Sequence, residues 1–282
     1  MNTTGIFTIH KHTVEVKEFN DPVHLIPFGD IHRSSPMCHE EKWLEMLDWA
    51  KTRKNILFLG MGDYDDLAST SERVILSDKR LHDSSAQTLE ELYMKHTENL
   101  VKEIKFMNGR LIGLMEGNHY AEFQDGTTST QRMCRMLETK YLGVSSFIRL
   151  TVKCKSKSAS IDIWAHHGKG ASGLIGGSLN GVQKMAEAAE ADIYLMGHDH
   201  KKSVGMMDKL TLKEGKGSLN LHHRKQLYIR TGSFLKAYED GKRSYVADAM
   251  LNPTNLGVVK IAIIPKWSKG GDSVYLDLHA SI

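Results

Sequence analysis

The chain has 282 residues, 40% hydrophobic and 25% charged, the composition of an ordinary globular protein and not of a low-complexity or fibrous chain. Its formal net charge of +3 permits a nucleic-acid substrate without requiring one. No apolar run approaches the ~18 residues that span a bilayer, and residues 1–10 lack a basic segment followed by an apolar one, so a cytoplasmic protein is expected.

In chain order, residues 23–28 form a short apolar run that stops at Gly29-Asp30 and predicts a strand. Residues 40–53 predict a helix, with Trp43, Leu44, Met46, Leu47 and Trp49 near helical spacing; the tryptophans mark its packed face. A second strand is predicted over 56–59, ending in Gly60-Met61-Gly62-Asp63, and a helix over 88–106. A third strand, 110–115, ends in Glu116-Gly117-Asn118-His119, followed by a helix over 130–142. Residues 147–152 are strand-like, and 161–165 form a strand ending in His166-His167-Gly168. An Ala- and Glu-rich helix over 179–191 leads into a strand at 192–196 that ends in Gly197-His198-Asp199-His200. Beyond it no strong helix is predicted, and 227–231, 258–264 and 274–278 are strand-like. Strands alternating with helices imply an α/β fold. With no repeat and no linker, residues 1–282 read as one domain with two sheets.

Five strand ends thus carry Asp, His and Asn. In open α/β sheets, ligands bind beyond the carboxyl ends of strands, where distant residues converge. Asp30 and His32 are two apart and face the same way on a continuing strand, as do His198 and His200. Fifteen histidines is a high number, and neutral imidazole is the commonest metal ligand. Their place within the motifs separates these histidines from scattered surface ones. Carboxylate oxygen and imidazole nitrogen together suit Mn, Fe, Zn or Ni better than Ca. The three cysteines, Cys38, Cys134 and Cys154, form no C-x-x-C pair, which argues against a cysteine zinc site and for a reducing compartment.

Gly29-Asp30-Ile31-His32, Gly62-Asp63-Tyr64-Asp65-Asp66, Gly117-Asn118-His119, His166-His167-Gly168 and Gly197-His198-Asp199-His200 resemble, in this order, the five motifs of calcineurin-like metallophosphoesterases. The resemblance covers residues from about 23 to 235. It implies a four-layered α/β/β/α sandwich of two mixed sheets flanked by helices. It also implies two divalent metal ions, manganese first, with Fe, Zn, Ni or Mg as alternatives. Asp30, His32 and His200 would hold the first ion, and Asp63 would bridge. Asn118, His198 and one of His166 and His167 would hold the second, with His166 preferred because the apolar strand stops there. The implied reaction is metal-activated hydroxide attack on phosphorus, with His119 donating a proton to the leaving oxygen.

One departure stands out: Tyr120 occupies the position where many relatives carry an acid that would orient His119. Asp66 matches the last Asp of the second motif and is expected to orient a histidine or loop, while Asp65 and Asp199 are expected to be solvated or supporting. Thr231-Gly232-Ser233 reads as a tight turn needing glycine. Arg33 is a candidate phosphate ligand, with a solvated arginine as the equal alternative. Lys169, Lys201, Lys202, Arg224 and Lys225 could contact a polyanion, although charge runs more often mark a solvated face. The expected partner is a phosphate-ester substrate, nucleic acid or nucleotide first, cleaved at a phosphodiester bond. A phosphomonoesterase and a metal-bound scaffold without turnover are the alternatives. Substrate choice is expected in loops at 64–87, 124–130, 169–178 and 201–224.

Overall fold

Short apolar runs that stop at Gly-Asp and Gly-His pairs become strands ending in sharp turns. They do so in the computed structural model, which describes residues 8–77, 82–170, 172–215, 218–242, 244–248, 250, 252–268 and 273–282. The elements in order are β1 (Ile9–Val16), β2 (Val23–Phe28), α1 (Glu40–Lys51), β3 (Ile56–Gly60), α2 (Thr70–Ser77), α3 (Asp83–Ile104), β4 (Leu111–Leu114) and α4 (Ser129–Met136). There follow β5 (Ser145–Cys154), β6 (Lys157–His166), α5 (Ile175–Gln183), α6 (Met185–Ala188), β7 (Ile193–Met196), β8 (Lys202–Gly215) and β9 (Ser218–Ser233). The chain closes with α7 (Tyr245–Asp248), β10 (Gly257–Val258), β11 (Lys260–Trp267) and β12 (Val274–Ser281).

Among the described residues these strands form two mixed sheets. The first has seven strands in the order β1-β5-β6-β7-β9-β10, with β8 also paired to β9; the second has five, in the order β12-β11-β2-β3-β4. β2, β3 and β4 are mutually parallel, as are β6, β7 and β9, so within each group the C-terminal ends lie along one edge. β3 is buried at every position, the pattern of a central parallel strand covered on both faces. β5 alternates strictly, with Ser146, Ile148, Leu150, Val152 and Cys154 inward.

One apolar cluster joins the facing sides of the two sheets, with Leu25, Leu59 and Ile261 from the second against Leu150, Ile163 and Ile229 from the first. Another joins the opposite face of the second sheet, Ile26, Phe28 and Phe58, to Trp43 of α1, Leu100 of α3 and Met133 of α4. A third packs Val182 of α5 and Met185 of α6 on Tyr194 and Tyr228, whose rings stack 5.0 Å apart. Leu25 and Ile26 serve opposite faces, so a one-residue slip of β2 would exchange its two cores. Among the described residues no helix is long and apolar enough to cross a membrane. The three cysteines are buried and free.

Several boundaries differ from the sequence reading. β1 was not expected; it is held by parallel pairing with β5 across more than a hundred residues. The helix expected over 88–106 begins earlier, at Asp83. The helix expected over 130–142 ends at Met136, because Glu138 turns into the left-handed region at φ 49°. The helix expected over 179–191 is two short pieces, α5 and α6, after which Ala189 is extended. The largest difference is at 201–224, read as a loop: it belongs to a long antiparallel ribbon, β8 on β9, in register from Lys202–Thr231 to Gly215–Ser218.

Candidate metal centre

The strand ends are locked together by their backbones before any side chain is considered. The Asp30 N–H donates to the Gly62 carbonyl (2.9 Å) and the Ile31 N–H to that of Asp63 (2.8 Å). The His198 N–H donates to Asp30 Oδ2 (2.9 Å), which ties the two sheets at this edge. Asp30, His32, Asp63, His198 and His200 all have positive φ, between 47° and 70°. Such backbone is uncommon outside glycine and costs free energy, so its concentration at one edge marks a site held by its surroundings. Gly62, at φ 98°, admits a close approach: a Cβ there would stand 2.6 Å from His167 Nδ1 and 2.7 Å from Gly117 Cα.

Three groups of donor atoms result, each with its members within 4.8 Å of one another: Asp30, His32 and His200; Asp63, His167 and His198; and His32, Asp66 and His119, which shares His32 with the first. Asp63 lies between the first two, its Oδ2 4.0 Å from His32 Nε2 and 3.3 Å from His167 Nε2. Asn118 Oδ1 approaches His198 Nδ1 (2.8 Å) and His167 Nε2 (3.0 Å). The backbone N–H groups of Asn118 and His119 both donate to Asp63 Oδ1 (2.6 and 2.9 Å), which fixes that carboxylate.

The donor set fits cations. Asp30 Oδ1 and both ring nitrogens of His32 are buried without a hydrogen-bond partner. Unpaired buried polar atoms are costly and rare, and a cation held by Asp30, His32 and His200 would satisfy Asp30 Oδ1 and one His32 nitrogen. The charge balance points the same way. Burial raises the Asp30 carboxyl, with His167 opposing and the Asp63 charge reinforcing the shift. Burial, and next the charge of His32, lowers His200, which favours the neutral imidazole that binds metals.

The structure turns His167, and not the expected His166, toward Asp63, Asn118 and His198. The reason is strand parity. Ile161, Ile163 and Ala165 of β6 point into the core between the sheets, and His167 continues that alternation. His166 faces the other way, its Nδ1 accepting the Gly168 N–H (2.8 Å). The Met61 carbonyl accepts from His167 Nδ1 (2.8 Å), which leaves the Nε2 lone pair facing the site.

His119 has the acidic partner that Tyr120 does not supply. Its Nδ1 donates to Asp66 Oδ1 (2.7 Å), and its ring meets that of His32 edge-on at 4.8 Å. The hydrogen bond from His119, and then the His32 ring 3.6 Å away, hold the Asp66 carboxyl well below its usual range. Tyr120 itself lies under Arg73, whose guanidinium is 3.8 Å from the ring centroid. Arg73 Nη1 donates to the carbonyls of Ala68 (2.6 Å), Asn118 (2.9 Å) and Tyr120 (3.0 Å), so one cation clamps the loop carrying Asn118 and His119. Arg73 fell within a span read as a loop and carried no sequence signal.

Asp65 and Asp199 are supports, not solvated groups. Asp65 Oδ1 accepts the Ser34 and Asp66 N–H groups (2.7 and 3.1 Å). Asp199 accepts from the Ser178 hydroxyl, and buried Arg230 lies 3.4 Å away while donating to the Gly197 carbonyl (2.9 Å). Gly232, at φ 91°, leaves no room for a Cβ beside the Gly257 carbonyl, and Ser233 Oγ donates to the Asp30 carbonyl (2.8 Å), so this segment is a tight turn behind the site. Arg33 is engaged by Glu103 (3.0 Å) and Glu40 (2.6 Å), which turns it toward α1 and α3. Arg224 pairs with Asp192 and Glu190, and Lys225 with Asp277. Lys202 lines a groove with Lys42, Trp49 and Lys260, while Lys169 and Lys201 pair with no carboxylate among the described residues.

The chain matches no protein-family model, no curated protein and no solved structure.

Proposed function

We propose that this chain is a calcineurin-like metallophosphoesterase that holds two divalent cations, manganese favoured, and hydrolyses phosphodiester bonds in nucleic acid or nucleotides. The observation that carries the reading is the pair of donor groups meeting at Asp63, with Asp30 Oδ1 and both His32 nitrogens buried and unpaired. On this reading Asp30, His32 and His200 hold one cation and Asn118, His167 and His198 the other, with Asp63 shared. The architecture that goes with it is a four-layered α/β/β/α sandwich. It is supported by the sequence of three cores: helices α1, α3 and α4 on one sheet, sheet on sheet, then α5 and α6 on the other sheet.

Two bound cations would supply Lewis acidity toward a phosphoryl oxygen and lower the pKa of a water. The chain's own residues do the rest. The Asn118 and His119 N–H groups fix Asp63 Oδ1, so the shared carboxylate presents Oδ2 inward. Asp66 accepts the His119 Nδ1 proton and so orients the ring with Nε2 free. Nε2 is then the atom that delivers a proton to the leaving oxygen, which matters most for the poor alkoxide leaving group of a diester.

A phosphomonoesterase is the second reading. It is favoured by the ion pairs that already occupy Arg33, Arg224 and Lys225, leaving fewer cations for a polyanion. A scaffold without turnover has no use for the His119–Asp66 pair. Rates on bis-p-nitrophenyl phosphate, p-nitrophenyl phosphate and single-stranded DNA, each with Mn²⁺, separate the three. Faster diester than monoester hydrolysis is expected. A monoester preference moves the protein to the second reading, and bound Mn²⁺ with no turnover on any substrate moves it to the scaffold.

A further inference from the structure

The β8–β9 ribbon runs well past the strand beside it. β7 pairs with β9 only at residues 227–230, whereas β8 pairs with β9 over its whole length. The register sorts the ribbon into two faces. Lys209, Thr211, His222 and Arg224 share one face, and Glu190 of the protein body binds both Lys209 and Arg224 there. Met206, Leu210, Leu212, Leu219 and Leu221 share the other, and they are 62, 54, 69, 69 and 59% exposed. That apolar face continues the side of β9 whose Leu227 and Ile229 pack between the two sheets. Past the last strand of the second sheet nothing in the chain covers it among the described residues.

A two-stranded ribbon alone is marginal in water, and a contiguous apolar face of this size on a soluble protein marks an interaction site. We infer that a second copy of this chain docks here, ribbon face on ribbon face, in a two-fold dimer.

Three observations favour a second copy over an unrelated partner. The first is self-complementarity: a two-fold axis along the Leu212–Leu221 row sets each of these leucines against its own copy, an apolar contact of the isologous kind. The second is charge. From base to tip the rows read Asp208–Lys225, Leu210–His223, Leu212–Leu221 and Glu214–Leu219. A two-fold axis along the Leu212–Leu221 row lays the Leu210–His223 row of one copy over the Glu214–Leu219 row of the other. Glu214 then lies over Leu210 of the second copy, and its carboxylate reaches diagonally to the imidazole of His223 on the adjacent strand. The third is area: five side chains exposed to this degree offer roughly 500–600 Å² per copy, and about 1,000–1,200 Å² over the pair, the lower end for a stable interface. The polar face of the ribbon is tied to its own body through Glu190 and Asp192, so the arm is held in position before its partner arrives.

The inference is independent of the phosphoesterase reading, and its test uses mass. Light scattering after size exclusion, on the full chain at micromolar concentration, should return twice the 31.7 kDa chain mass. Leu212→Asp combined with Leu221→Asp should raise the dimer dissociation constant at least a hundredfold and leave the circular dichroism spectrum unchanged. Leu174→Asp, at a residue 76% exposed outside the ribbon, should leave the dimer intact. A Leu212→Cys variant keeps the test open should the double variant fold poorly: facing sheets pack about 10 Å apart, so on the two-fold a short bis-maleimide should cross-link the paired thiols, since the native cysteines are buried. A monomeric wild-type chain at about 100 µM, a dimer that survives the double substitution, or no cross-link through Cys at 212 would each overturn the inference.

Discussion

His119 and Asp66 come from different strand ends, yet a 2.7 Å hydrogen bond joins them beside the candidate ligands. On the proposed phosphodiesterase reading His119 is a general acid, and a general acid so positioned contributes about 10²–10⁴ in rate. His119→Asn should therefore slow diester turnover by that order, with bound Mn²⁺ unchanged by elemental analysis. Asp66→Asn should slow it less, because the ring remains and loses only its orienting charge. Loss of metal in His119→Asn would make His119 a ligand and remove its proton-transfer role. Arg73 acts one step further out. Lysine cannot reach three carbonyls and stack on Tyr120 at once, so Arg73→Lys should cost roughly tenfold in kcat by loosening the Asn118–His119 loop. Steady-state kinetics beside a thermal melt check it: a lowered Tm with unchanged kcat would leave Arg73 a purely structural residue. At this scale most of the site was legible, because Asp, His and Asn at strand ends are visible as sequence spacing. His167 was legible as well, through its parity with Ile161, Ile163 and Ala165, had alternation been followed past the end of the apolar run. Arg73 was not, since a guanidinium that binds backbone carbonyls imposes no residue pattern on its acceptors.

Among the elements, those with one strong local period were read correctly in kind and misjudged in extent. α4 shows why extent depends on capping. Thr128 accepts the Gln131 N–H (3.2 Å) while the Gln131 side chain accepts the Thr128 N–H (3.1 Å), a complete capping box. The Thr128 hydroxyl also donates to the buried Glu116 Oε2 (3.0 Å), in the turn that leads to Asn118. Thr128→Ala should thus cost about 1 kcal/mol for the cap and a further ~1–3 kcal/mol for the Glu116 oxygen left unpaired. Thr128→Ser should keep both bonds and lie near wild type. Urea unfolding of the three proteins checks this, and equal losses in the two variants would mean that the methyl group, not the hydroxyl, matters. The β8–β9 ribbon escaped the sequence reading for a different reason. Its leucines alternate at strand period, but lysines and histidines on both faces dilute the pattern. What holds it is pairing across the ribbon and anchoring through Glu190, not local propensity. β1 was missed because its pairing partner, β5, is so distant in the chain.

For the molecule as a whole, the decisive contact is between the two sheets, and beside its apolar core a charged tie joins them away from the metal centre. Asp277 of β12 in the second sheet accepts from Lys225 of β9 in the first (2.8 Å), and also from Lys266 (2.7 Å) and His279 (2.9 Å). Burial pushes the Asp277 carboxyl up, but the hydrogen bonds from Lys225, Lys266 and His279 prevail and hold it well below the usual range. An unfolded Asp titrates near ~3.9, so the folded carboxyl has the lower pKa. Its contribution to stability is therefore fully present above about pH 4 and is lost as pH falls through the folded value. Asp277 is mostly buried, while its lysine partners are about one-third exposed, which places the tie between a surface pair and a buried one. Asp277→Asn should accordingly cost about 1–2 kcal/mol at pH 7. Because the wild-type carboxylate is neutralised in acid, that difference should shrink as the pH is lowered toward 3 and below. Urea unfolding of both proteins at pH 7 and pH 3 measures it. A difference that stays constant between the two pH values would mean that Asp277 joins the sheets by shape alone, and that the ion pairs with Lys225 and Lys266 contribute nothing to holding them together.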